Sequence, residues 1–517
     1  MKGITSFFDK NKIQDKLEYC LSRAVSNCIN NQKENGSWEY LRAPRVFETA
    51  LAGYALSSTP GNIDADRVEK ARKWLASAKP QSHSSLAYLI ESTLQNLFLK
   101  KLSILTLKEL IDPVFANRLI LLQVLAIHAG LKVDSFIDEE ALRKKLAKKC
   151  EESEFDQLKK WSTVEILSLQ ILLEYRINNH EVIQSRIQKL ITLQASDGSF
   201  SFNPISTSIA YLALSVAAPH SEVWKRCRNY LLKAQQSDGT WRFCSCDVWD
   251  TILIVRSFKA HPVFVKHALQ PALNFIKSMQ NIDGGWSYRG NVESDNDTTG
   301  TALLALSGSS QGDEVIPQAV NYLRSQQTEE GLWRTWQFNL DPPVEDVVAH
   351  VVSGLDSYAS KHKISVQPAK KWLTEQYKKH QAGKASWYKG TPYAVTEVSQ
   401  ALGQNNPMVS IAIDALKNAQ NSDGGWSTER GIPSIPSATG LAILAISKYS
   451  SLNADSSIYK GLKFLIETQQ DDGTWKGEPE MYGPRPLLTH CQSDTQSFAI
   501  CGAIEVWRNM SSVATRK

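Results

Sequence analysis

The stretch "QNIDGGW" (residues 280–286) decides how this chain folds. A glutamine opens it, a glycine stands four residues later, and a tryptophan stands six residues after the glutamine. Asp-Gly pairs favour tight turns, because glycine reaches positive φ angles without steric cost. Six further stretches share this spacing of glutamine, glycine and an aromatic residue: 32–38, 194–200, 235–241, 327–333, 420–426 and 469–475. Such a recurring pattern indicates an architecture built from repeated units.

Amphipathic stretches separate the turns, for example "AVNYLRSQQ" (319–327) and "GLKFLIETQQ" (461–470), and strand-like alternation is scarce. From residue 235 onwards six copies occur, if the degenerate "QAGKASW" (381–387), which has Ala385 in place of the glycine, is included. One copy per about 47 residues leaves room for two helices and their connections. The sequence therefore predicts an all-α fold in which six helical hairpins close into an αα-barrel.

The segment before residue 235 has a different organisation. Its two turn copies, at 32–38 and 194–200, are separated by a long interval with helix-like stretches of its own, such as "VEILSLQILLEYRI" (164–177). The charged run at 143–160 is typical of a solvated helix face rather than of a site. We therefore expect a second helical domain here, in keeping with a length of 517 residues.

Composition excludes several classes of function. The net charge of +5, from 58 basic and 53 acidic residues, is too small to indicate nucleic-acid binding. No apolar run of about 18 residues lacks charged residues, so we expect no transmembrane helix, and we expect no signal peptide. The eight cysteines are scattered, and the close pair Cys244 and Cys246 has no partner pair at zinc spacing. We therefore expect reduced thiols, a cytoplasmic protein and no zinc site.

A second stretch, "DNDTTG" (295–300), carries carboxylates at the start of a helix, because the apolar run "TALLALS" (301–307) follows it. Asp is a good helix N-cap, so Asp295 and Asp297 have a structural explanation. Paired carboxylates also change each other's pKa, which is what an acid catalyst needs. The stretch alone leaves both explanations open.

The turn repeats resemble the QW motifs of the class II terpene cyclases, the squalene–hopene cyclase superfamily. Four further stretches resemble motifs of that family and follow the family's order: "DVWDT" (247–251), "DNDTT" (295–299), "DPPVEDVVAH" (341–350) and "SDTQSFAI" (493–500). The second of these resembles the family's DxDDT acid motif. The chain is shorter than squalene cyclases and is more similar to the compact bacterial enzymes that cyclise prenyl diphosphates, such as copalyl, halimadienyl and drimenyl diphosphate synthases.

The resemblance implies two αα-barrel domains. Residues 1–26 and 231–517 would form a β domain that carries the acid motif. Residues 27–230 would form a γ domain, inserted after the first helix of the β domain. The six turn copies near the end of the chain agree with a closed barrel for the β domain.

Class II cyclisation begins by protonating a carbon–carbon double bond, which is a very weak base. The acid must hold its proton until substrate binds, and its conjugate base must be stabilised as the proton leaves. Matched residue by residue, the resemblance implies Asp297 as the general acid, Asp295 as a supporting carboxylate and His350 as the acid's hydrogen-bond partner. Thr298 departs from the pattern, since the family has a third Asp there, and this leaves the donor network open.

The carbocation that follows needs a dry cavity lined by aromatic rings, whose faces stabilise positive charge. The residues expected to line it and bind the substrate are Trp249, Asp250, Trp286, Trp336, Phe338, Trp387, Tyr393, Tyr482 and Phe498. His490, Tyr393 and Tyr482 are candidates for the base that ends the reaction, and the sequence does not choose among them.

A substrate diphosphate needs cationic partners. The candidates, which follow turn segments, are Arg42, Arg45, Arg289 and Lys389. Mg²⁺ is the expected cofactor, and because carboxylates bind it, Glu39 and Glu48 are candidate ligands.

The resemblance implies a cyclase that converts a linear prenyl diphosphate into a bicyclic, decalin-type diphosphate. Geranylgeranyl diphosphate is the first candidate substrate and farnesyl diphosphate the second. The sequence has no DDxxD stretch, the motif of synthases that remove the diphosphate. The product would therefore keep its diphosphate, and a downstream class I synthase or a phosphatase would use it. The alternatives are a squalene-like polyene cyclase, a protein prenyltransferase β subunit and a non-catalytic binding scaffold. A prenyltransferase would carry a zinc-binding Asp-x-Cys set, whereas Cys246 and Asp247 have the reverse order. The oligomeric state stays open.

Overall fold

The computed structural model describes residues 2–107, 116–135, 137–152, 155–308, 314–336, 342–356, 358, 362, 364–380, 384–449 and 455–514. These residues are mostly helical, which confirms the predicted all-α fold. The chain divides into two compact units: unit 1 contains residues 1–40, 246–482 and 490–517, and unit 2 contains residues 41–245 and 483–489. Within the described ranges, no helix is both long and apolar enough to cross a membrane.

The α-helices, in chain order, are α1 (Lys2–Asn30), α2 (Val46–Ser57), α3 (Ala65–Ser77), α4 (Ser85–Phe98), α5 (Ala116–His128), α6 (Glu139–Glu151), α7 (Lys160–Arg176), α8 (His180–Leu193), α9 (Pro204–Ala217), α10 (Glu222–Ala234), α11 (Asp247–Phe258), α12 (Pro262–Phe264), α13 (Gln270–Ser278), α14 (Asn296–Leu306), α15 (Ile316–Gln326), α16 (Glu345–Asp356), α17 (Gln367–His380), α18 (Thr391–Leu402), α19 (Pro407–Lys417), α20 (Pro436–Tyr449), α21 (Ser456–Thr468) and α22 (Gln492–Ala514). A π-helical turn, Val265–Leu269, joins α12 to α13, and single 3₁₀ turns form at Pro60–Asn62 and Phe155–Gln157. The strands are short: β1 (Ile104–Thr106), β2 (Lys132–Asp134), β3 (Met481–Tyr482) and β4 (Leu488–Thr489). β1 and β2 pair in parallel.

Unit 1 is an αα-barrel with an inner and an outer ring of helices. The inner helices α11, α14, α16, α18, α20 and α22 pack each against the next, and α22 packs against α11 to close the ring. They are buried on nearly all sides, as their apolar sequences allow. The outer helices α1, α13, α15, α17, α19 and α21 are amphipathic and turn one apolar stripe inward, as in a surface helix of a globular protein.

The glutamine of each turn repeat bridges two outer helices. At the end of α13, the Gln280 side-chain amide donates to the carbonyl of Gly284, at 2.8 Å, and to the carbonyl of Val315, at 2.9 Å. The second carbonyl lies at the start of the next outer helix, α15. The indole of Trp286 covers the turn and donates to the carbonyl of Ile276 in α13, at 2.6 Å. Each turn therefore satisfies carbonyls at one helix end and fixes the next helix at its beginning.

The same pair of amide bonds recurs at the other six intact copies, whose glutamines are Gln32, Gln194, Gln235, Gln327, Gln420 and Gln469. In unit 1 these bonds run around the outer ring and include α1. Gln32, after α1, reaches the carbonyl of Ala268, and Gln469, after α21, reaches the carbonyl of Cys20 within α1. The N-terminal helix is therefore the outer helix that closes this ring. The glutamine of the degenerate copy, Gln381, lies outside the described residues.

The division between the units differs from the predicted boundaries at residues 26 and 230. Trp38 is fully buried in the core of unit 1 and donates its indole N–H to the carbonyl of Cys28 in α1, so the turn at 32–38 stays with that unit. Trp241 is fully buried in the core of unit 2 and donates to Leu231 in α10, so that helix and its turn belong to unit 2. Turn repeats fold with the helix that precedes them, which moves both boundaries later in the chain.

Unit 2 has its own core and its own ring. Helices α2, α4, α5, α7 and α9 pack each against the next, and α9 packs against α2. Helices α3, α6, α8 and α10 lie against this inner set. Gln194 bridges the end of α8 to the start of α10, and Gln235 bridges the end of α10 to the start of α3.

The turn glycines supply a test of this architecture. Gly284 has a φ of +87°, and a Cβ atom there would lie 2.5 Å from the backbone oxygen of Gln318 in α15. Gly130, which follows α5, has a similar φ of +75° with open space around it, and the bonds of Leu131 to Ala126 and of Gly130 to Ile127 make it the left-handed residue of a helix C-cap. We expect Gly130→Ala to cost only the left-handed backbone penalty of about 1–2 kcal/mol. Gly284→Ala should lower the temperature of half-unfolding further, because α15 must also move. Circular dichroism melts of both variants would measure this, and equal losses would contradict the bridged-turn architecture.

Candidate active site

The inner ring of unit 1 brings one histidine between two carboxylates from neighbouring helices. Nδ1 of His350, on α16, lies 2.6 Å from Oδ1 of Asp297, on α14. Nε2 of His350 lies 3.2 Å from Oε2 of Glu397, on α18. The side chains of His350 and Glu397 are 1% and 4% exposed, whereas that of Asp297 is 13% exposed. Asp297 is therefore the member of this trio that a bound molecule can reach.

Asp295 and Asp297 have different partners, although two residues separate them in sequence. Asp295 is the N-cap of α14, and its carboxylate accepts hydrogen bonds from the backbone N–H of Thr298, at 2.6 Å, and from the Thr298 hydroxyl, at 3.0 Å. The hydroxyl of Ser287 also donates to it, at 3.2 Å. The N-cap explanation of the "DNDTTG" stretch therefore holds for Asp295, whereas Asp297 faces His350. Thr298, the departure from the family's pattern, completes the cap.

An arginine stands behind the trio. Nη2 of Arg256, on α11, lies 2.9 Å and 3.3 Å from the two carboxylate oxygens of Glu397. Burial lowers the pKa of His350, but the charges of Asp297 and Glu397 and the hydrogen bonds to them raise it to about 10. Burial favours the neutral form of Glu397, but Arg256 and His350 hold its pKa well below the ordinary value. At neutral pH, His350 is therefore an imidazolium and Glu397 a carboxylate.

Sequence reasoning did not identify Glu397 or Arg256. A signal was present, because each is a charged residue inside an otherwise apolar inner helix, "TPYAVTEVSQAL" (391–402) and "DVWDTILIVRSF" (247–258). Charged side chains are rarely fully buried without a partner. A buried charge on each of two inner helices therefore indicates an ion pair.

Asp346 is a further carboxylate beside the acid. It is buried, and its Oδ2 accepts hydrogen bonds from the backbone N–H groups of Ser386 and Trp387, both at 2.9 Å. Burial and the charge of Asp297 raise the pKa of Asp346 to about 6, against the lowering effect of these hydrogen bonds. Asp346 is therefore a carboxylate that the charge of Asp297 influences, and the supporting role expected for Asp295 stays a prediction.

Four aromatic rings form a connected cluster next to His350. The ring centres of Trp249 and Tyr393 lie 6.3 Å and 6.2 Å from that of His350. Tyr388 lies 4.6 Å from Tyr393 and 5.2 Å from Phe498. The indole N–H of Trp249 donates to the hydroxyl of Tyr388, at 2.8 Å. The cluster joins Trp249, Tyr393 and Phe498, which were predicted, through Tyr388, which was not.

The remaining predicted aromatic residues lie in other surroundings. Trp336 and Trp387 pack edge to face, 5.3 Å apart, and are half-buried. The backbone N–H of Tyr482, also half-buried, donates to the carbonyl of Trp387, at 2.8 Å. Phe338 lies outside the described residues.

Two residues predicted to contact substrate are held in structural contacts. Trp286 is fully buried as the clip of its turn repeat, so its ring packs in the core. Asp250 is also fully buried, and it accepts hydrogen bonds from the Ser493 hydroxyl, at 2.7 Å, and from the backbone N–H of Tyr40, at 3.2 Å. Their contact with substrate stays a prediction, because the aromatic residues of the cluster beside His350 are buried as well.

The predicted diphosphate-binding cations are divided between the units. Arg42 and Arg45 belong to unit 2, and both are buried. Arg45 forms a buried ion pair with Glu48, so its charge is already compensated. Arg289 and Lys389 belong to unit 1, where Lys389 lies 3.4 Å from the exposed carboxylate of Glu429.

The two predicted magnesium ligands take part in ion pairs, and their role as ligands stays a prediction. Glu48 is engaged by Arg45, and Glu39, in unit 1, is paired with Lys33. Among the residues that the structure describes, no group of three His, Cys, Asp or Glu side chains is placed to hold a metal ion. All eight cysteines are free thiols.

Comparisons with known proteins show the family of the chain. The family model for the squalene-hopene cyclase C-terminal domain matches residues 205–339 and 336–485, more than half of the chain. The squalene–hopene cyclase of Bradyrhizobium diazoefficiens is 26% identical in an alignment 318 positions long that covers 50% of this chain and 48% of that protein. The drimenyl diphosphate synthase of Streptomyces showdoensis is 23% identical over 290 residues, which are 55% of this chain and 47% of that protein.

A solved structure shows the same fold along nearly the whole chain. The ent-copalyl diphosphate synthase from Streptomyces platensis superposes with a TM-score of 0.58 at 13% identity, covering 96% of this chain and 100% of that one. The chain spans about half the length of the two curated relatives named above.

The charge of His350 supplies a second test. Its pKa is raised from 6.5 to about 10, so the imidazolium stabilises the folded state fully below about pH 6.5 and this contribution is lost as the pH rises towards 10. The midpoint of thermal unfolding should therefore fall between pH 7 and pH 10, and this fall should be smaller in His350→Gln. Melts monitored by circular dichroism at several pH values would measure both. A parallel fall in the variant would show that His350 does not carry this charge.

Proposed function

Because the chain belongs to the squalene–hopene cyclase C-terminal family, we propose that it is a class II terpene cyclase with Asp297 as its general acid. The observation that carries this proposal is the 2.6 Å contact between Asp297 and a doubly carboxylate-bound His350. Neither a helix cap nor a core ion pair requires an imidazolium beside Asp297, which is more exposed than Asp295. A carboxylic acid that protonates an alkene does need such a cation, because it stabilises the carboxylate that is formed.

The mechanism follows from the charges around Asp297. His350 donates from Nδ1 to Oδ1 of Asp297, so the acidic proton of Asp297 resides on Oδ2. As that proton passes to a carbon–carbon double bond, the carboxylate gains a negative charge next to the imidazolium. The charge of His350 is already in place and costs no reorganisation at that moment. Little water reaches a side chain that is 13% exposed, so this stabilisation is stronger than in solution.

The aromatic cluster suits the cation that protonation creates. The faces of Trp249, Tyr393 and Phe498 offer negative potential without acting as bases. Tyr393 also lies 3.4 Å, through its hydroxyl, from Nε2 of His350. Because burial raises its pKa well above 10, the phenol stays neutral and contributes no full charge.

We propose a linear prenyl diphosphate as the substrate, geranylgeranyl diphosphate first and farnesyl diphosphate second, and a bicyclic, decalin-type diphosphate as the product. The relative named drimenyl diphosphate synthase supports a product that keeps the diphosphate of its substrate. A class I synthase or a phosphatase would then consume the product. The relative named squalene–hopene cyclase makes squalene the alternative substrate. The free cysteines suit the reducing cytoplasm.

In this proposal, Mg²⁺ binds the diphosphate of the substrate as its counter-ion. Its expected ligands, Glu39 and Glu48, are paired with Lys33 and Arg45 in this structure, so a metal ion would have to compete with these ion pairs. No step of the mechanism above depends on the metal ion.

The direct test is to incubate the purified protein, with Mg²⁺, with geranylgeranyl, farnesyl and geranyl diphosphate and with squalene in separate reactions. Products would be dephosphorylated and examined by gas chromatography and mass spectrometry. A bicyclic alcohol from one diphosphate would establish the substrate. Cyclised squalene would move the proposal to polyene cyclisation, and no product from any of them would overturn it.

The two aspartates supply the matched variants. Asp297→Asn removes the acidic proton but keeps the size of the side chain, so we expect activity to fall by at least about 100-fold. Asp295→Asn keeps an N-cap, since Asn caps helices as well as Asp does. We expect that variant to keep its unfolding temperature and to lose much less activity. Equal losses in two folded variants would show that Asp295 acts in the chemistry as well as in the cap.

A further inference from the structure

Glu397 and Arg256 form an ion pair on the side of His350 that faces away from Asp297. We propose that Glu397 and Arg256 are positioning residues, which hold His350 doubly protonated and aimed at Asp297. This inference rests on the proposed function of Asp297 but concerns side chains on two other inner helices. Both act through His350 and need not touch the substrate.

In the proposed mechanism, one protonation state of the histidine fits the geometry. Its ring nitrogens lie 2.6 Å from Oδ1 of Asp297 and 3.2 Å from a carboxylate oxygen of Glu397. Glu397, ionised beside Arg256, only accepts hydrogen bonds, so Nε2 carries a proton. Oδ1 of Asp297 also accepts, because the proton that Asp297 gives to the alkene lies on Oδ2, so Nδ1 is protonated too and the ring is a cation. Without Glu397, the hydroxyl of Tyr393, 3.4 Å from Nε2, can donate to that nitrogen and stabilise a neutral ring instead. Glu397 therefore decides the charge of His350.

Arg256 in turn decides the charge of Glu397. The carboxylate is 4% exposed, and a buried charge without partners takes up a proton. Arg256 compensates it by approaching both carboxylate oxygens, at 2.9 Å and 3.3 Å. Arg256, Glu397 and His350 thus alternate in sign, and Asp297 continues the alternation once it has given up its proton.

This alternation favours ionisation of Asp297. Before proton transfer, the two cations Arg256 and His350 face one anion, Glu397. After transfer, Asp297 adds the second anion and the charges balance. A neutral histidine would leave the new carboxylate without a cation beside it. The ion pair therefore strengthens the acid through His350, without contacting Asp297 itself.

Other titratable groups surround the four, and they are the same in all the variants below. Those with an electrostatic effect on the cluster are Asp346 on α16, Tyr393 on α18, Lys448 on α20 and Cys501 on α22. On the outer side, His380 of α17 pairs with Glu345 of α16, at 2.7 Å.

The variant that tests the proposal is Glu397→Gln, which removes one charge and keeps the size of the side chain. The chain offers a control of the same kind in unit 2, where Arg118 on α5 and Glu165 on α7 form a pair at 3.4 Å with both side chains largely buried. Glu165→Gln removes a carboxylate from an inner helix without touching the proposed site. Glu397→Asp and Arg256→Lys keep the charges, and they are the variants to use should Glu397→Gln fail to fold.

The first readout is the titration of His350, which needs no substrate. The protein would be labelled with carbon-13 in the histidine rings, and the His350 signal would be assigned by its loss in His350→Gln. We expect the wild-type ring to stay protonated through pH 9, because its pKa is about 10. In Glu397→Gln the midpoint should fall by at least about 1 pH unit. In Glu165→Gln it should not move. An unchanged midpoint in Glu397→Gln would overturn the proposal.

The second readout is the split between kcat and KM on whichever substrate is cyclised. We expect Glu397→Gln to lower kcat by about 10- to 100-fold, as loss of an outer hydrogen-bond partner does elsewhere, with little change in KM. Glu397→Asp should recover part of kcat. A loss of kcat that Glu165→Gln reproduces, or that follows the loss of stability, would overturn the proposal. If no substrate is cyclised, the function fails while the titration still decides this inference.

Discussion

One hydrogen-bonding pattern underlies the whole of unit 1, the two bonds that each turn glutamine donates. One goes to the glycine of its own turn and the other to the start of the neighbouring outer helix, as at Gln280. Helix ends otherwise leave backbone carbonyls without partners. By joining two ends with one amide, each turn also fixes the spacing between helices. Repeated around the ring, and through α1, the pattern turns separate hairpins into a closed barrel.

The proposed chemistry depends on that closure, because the groups around Asp297 come from several inner helices. Asp297, His350 and Glu397 come from three consecutive members of the ring, and Arg256 comes from a fourth. Contacts of 2.6 Å and 3.2 Å tolerate little sliding of one helix past the next. A rigid outer ring keeps that register. The turn repeats therefore support both the stability of the barrel and the geometry around the proposed acid.

The sequence revealed what is local or repeated. The turn repeats predicted the helical barrel, and the motif order brought Asp297 and His350 together as candidates. Contacts between distant segments were beyond it. Glu397 and Arg256 meet because α18 and α11 belong to one ring, which no local pattern encodes. Side-chain direction was beyond it as well: Trp286 and Asp250 belong to informative motifs and are fully buried, and a motif does not state which way a side chain faces.

The place of α1 in the outer ring has a consequence for biosynthesis. Gln469 bonds to Cys20, a residue 449 positions earlier in the chain. A ribosome therefore releases α1 long before its last ring neighbour exists, whereas unit 2 is made of one nearly continuous stretch, residues 41–245. The apolar stripe of α1 therefore lacks its last ring neighbour while unit 2 is being synthesised. The ring that holds the proposed acid can therefore close only after residues 469–475 have been made.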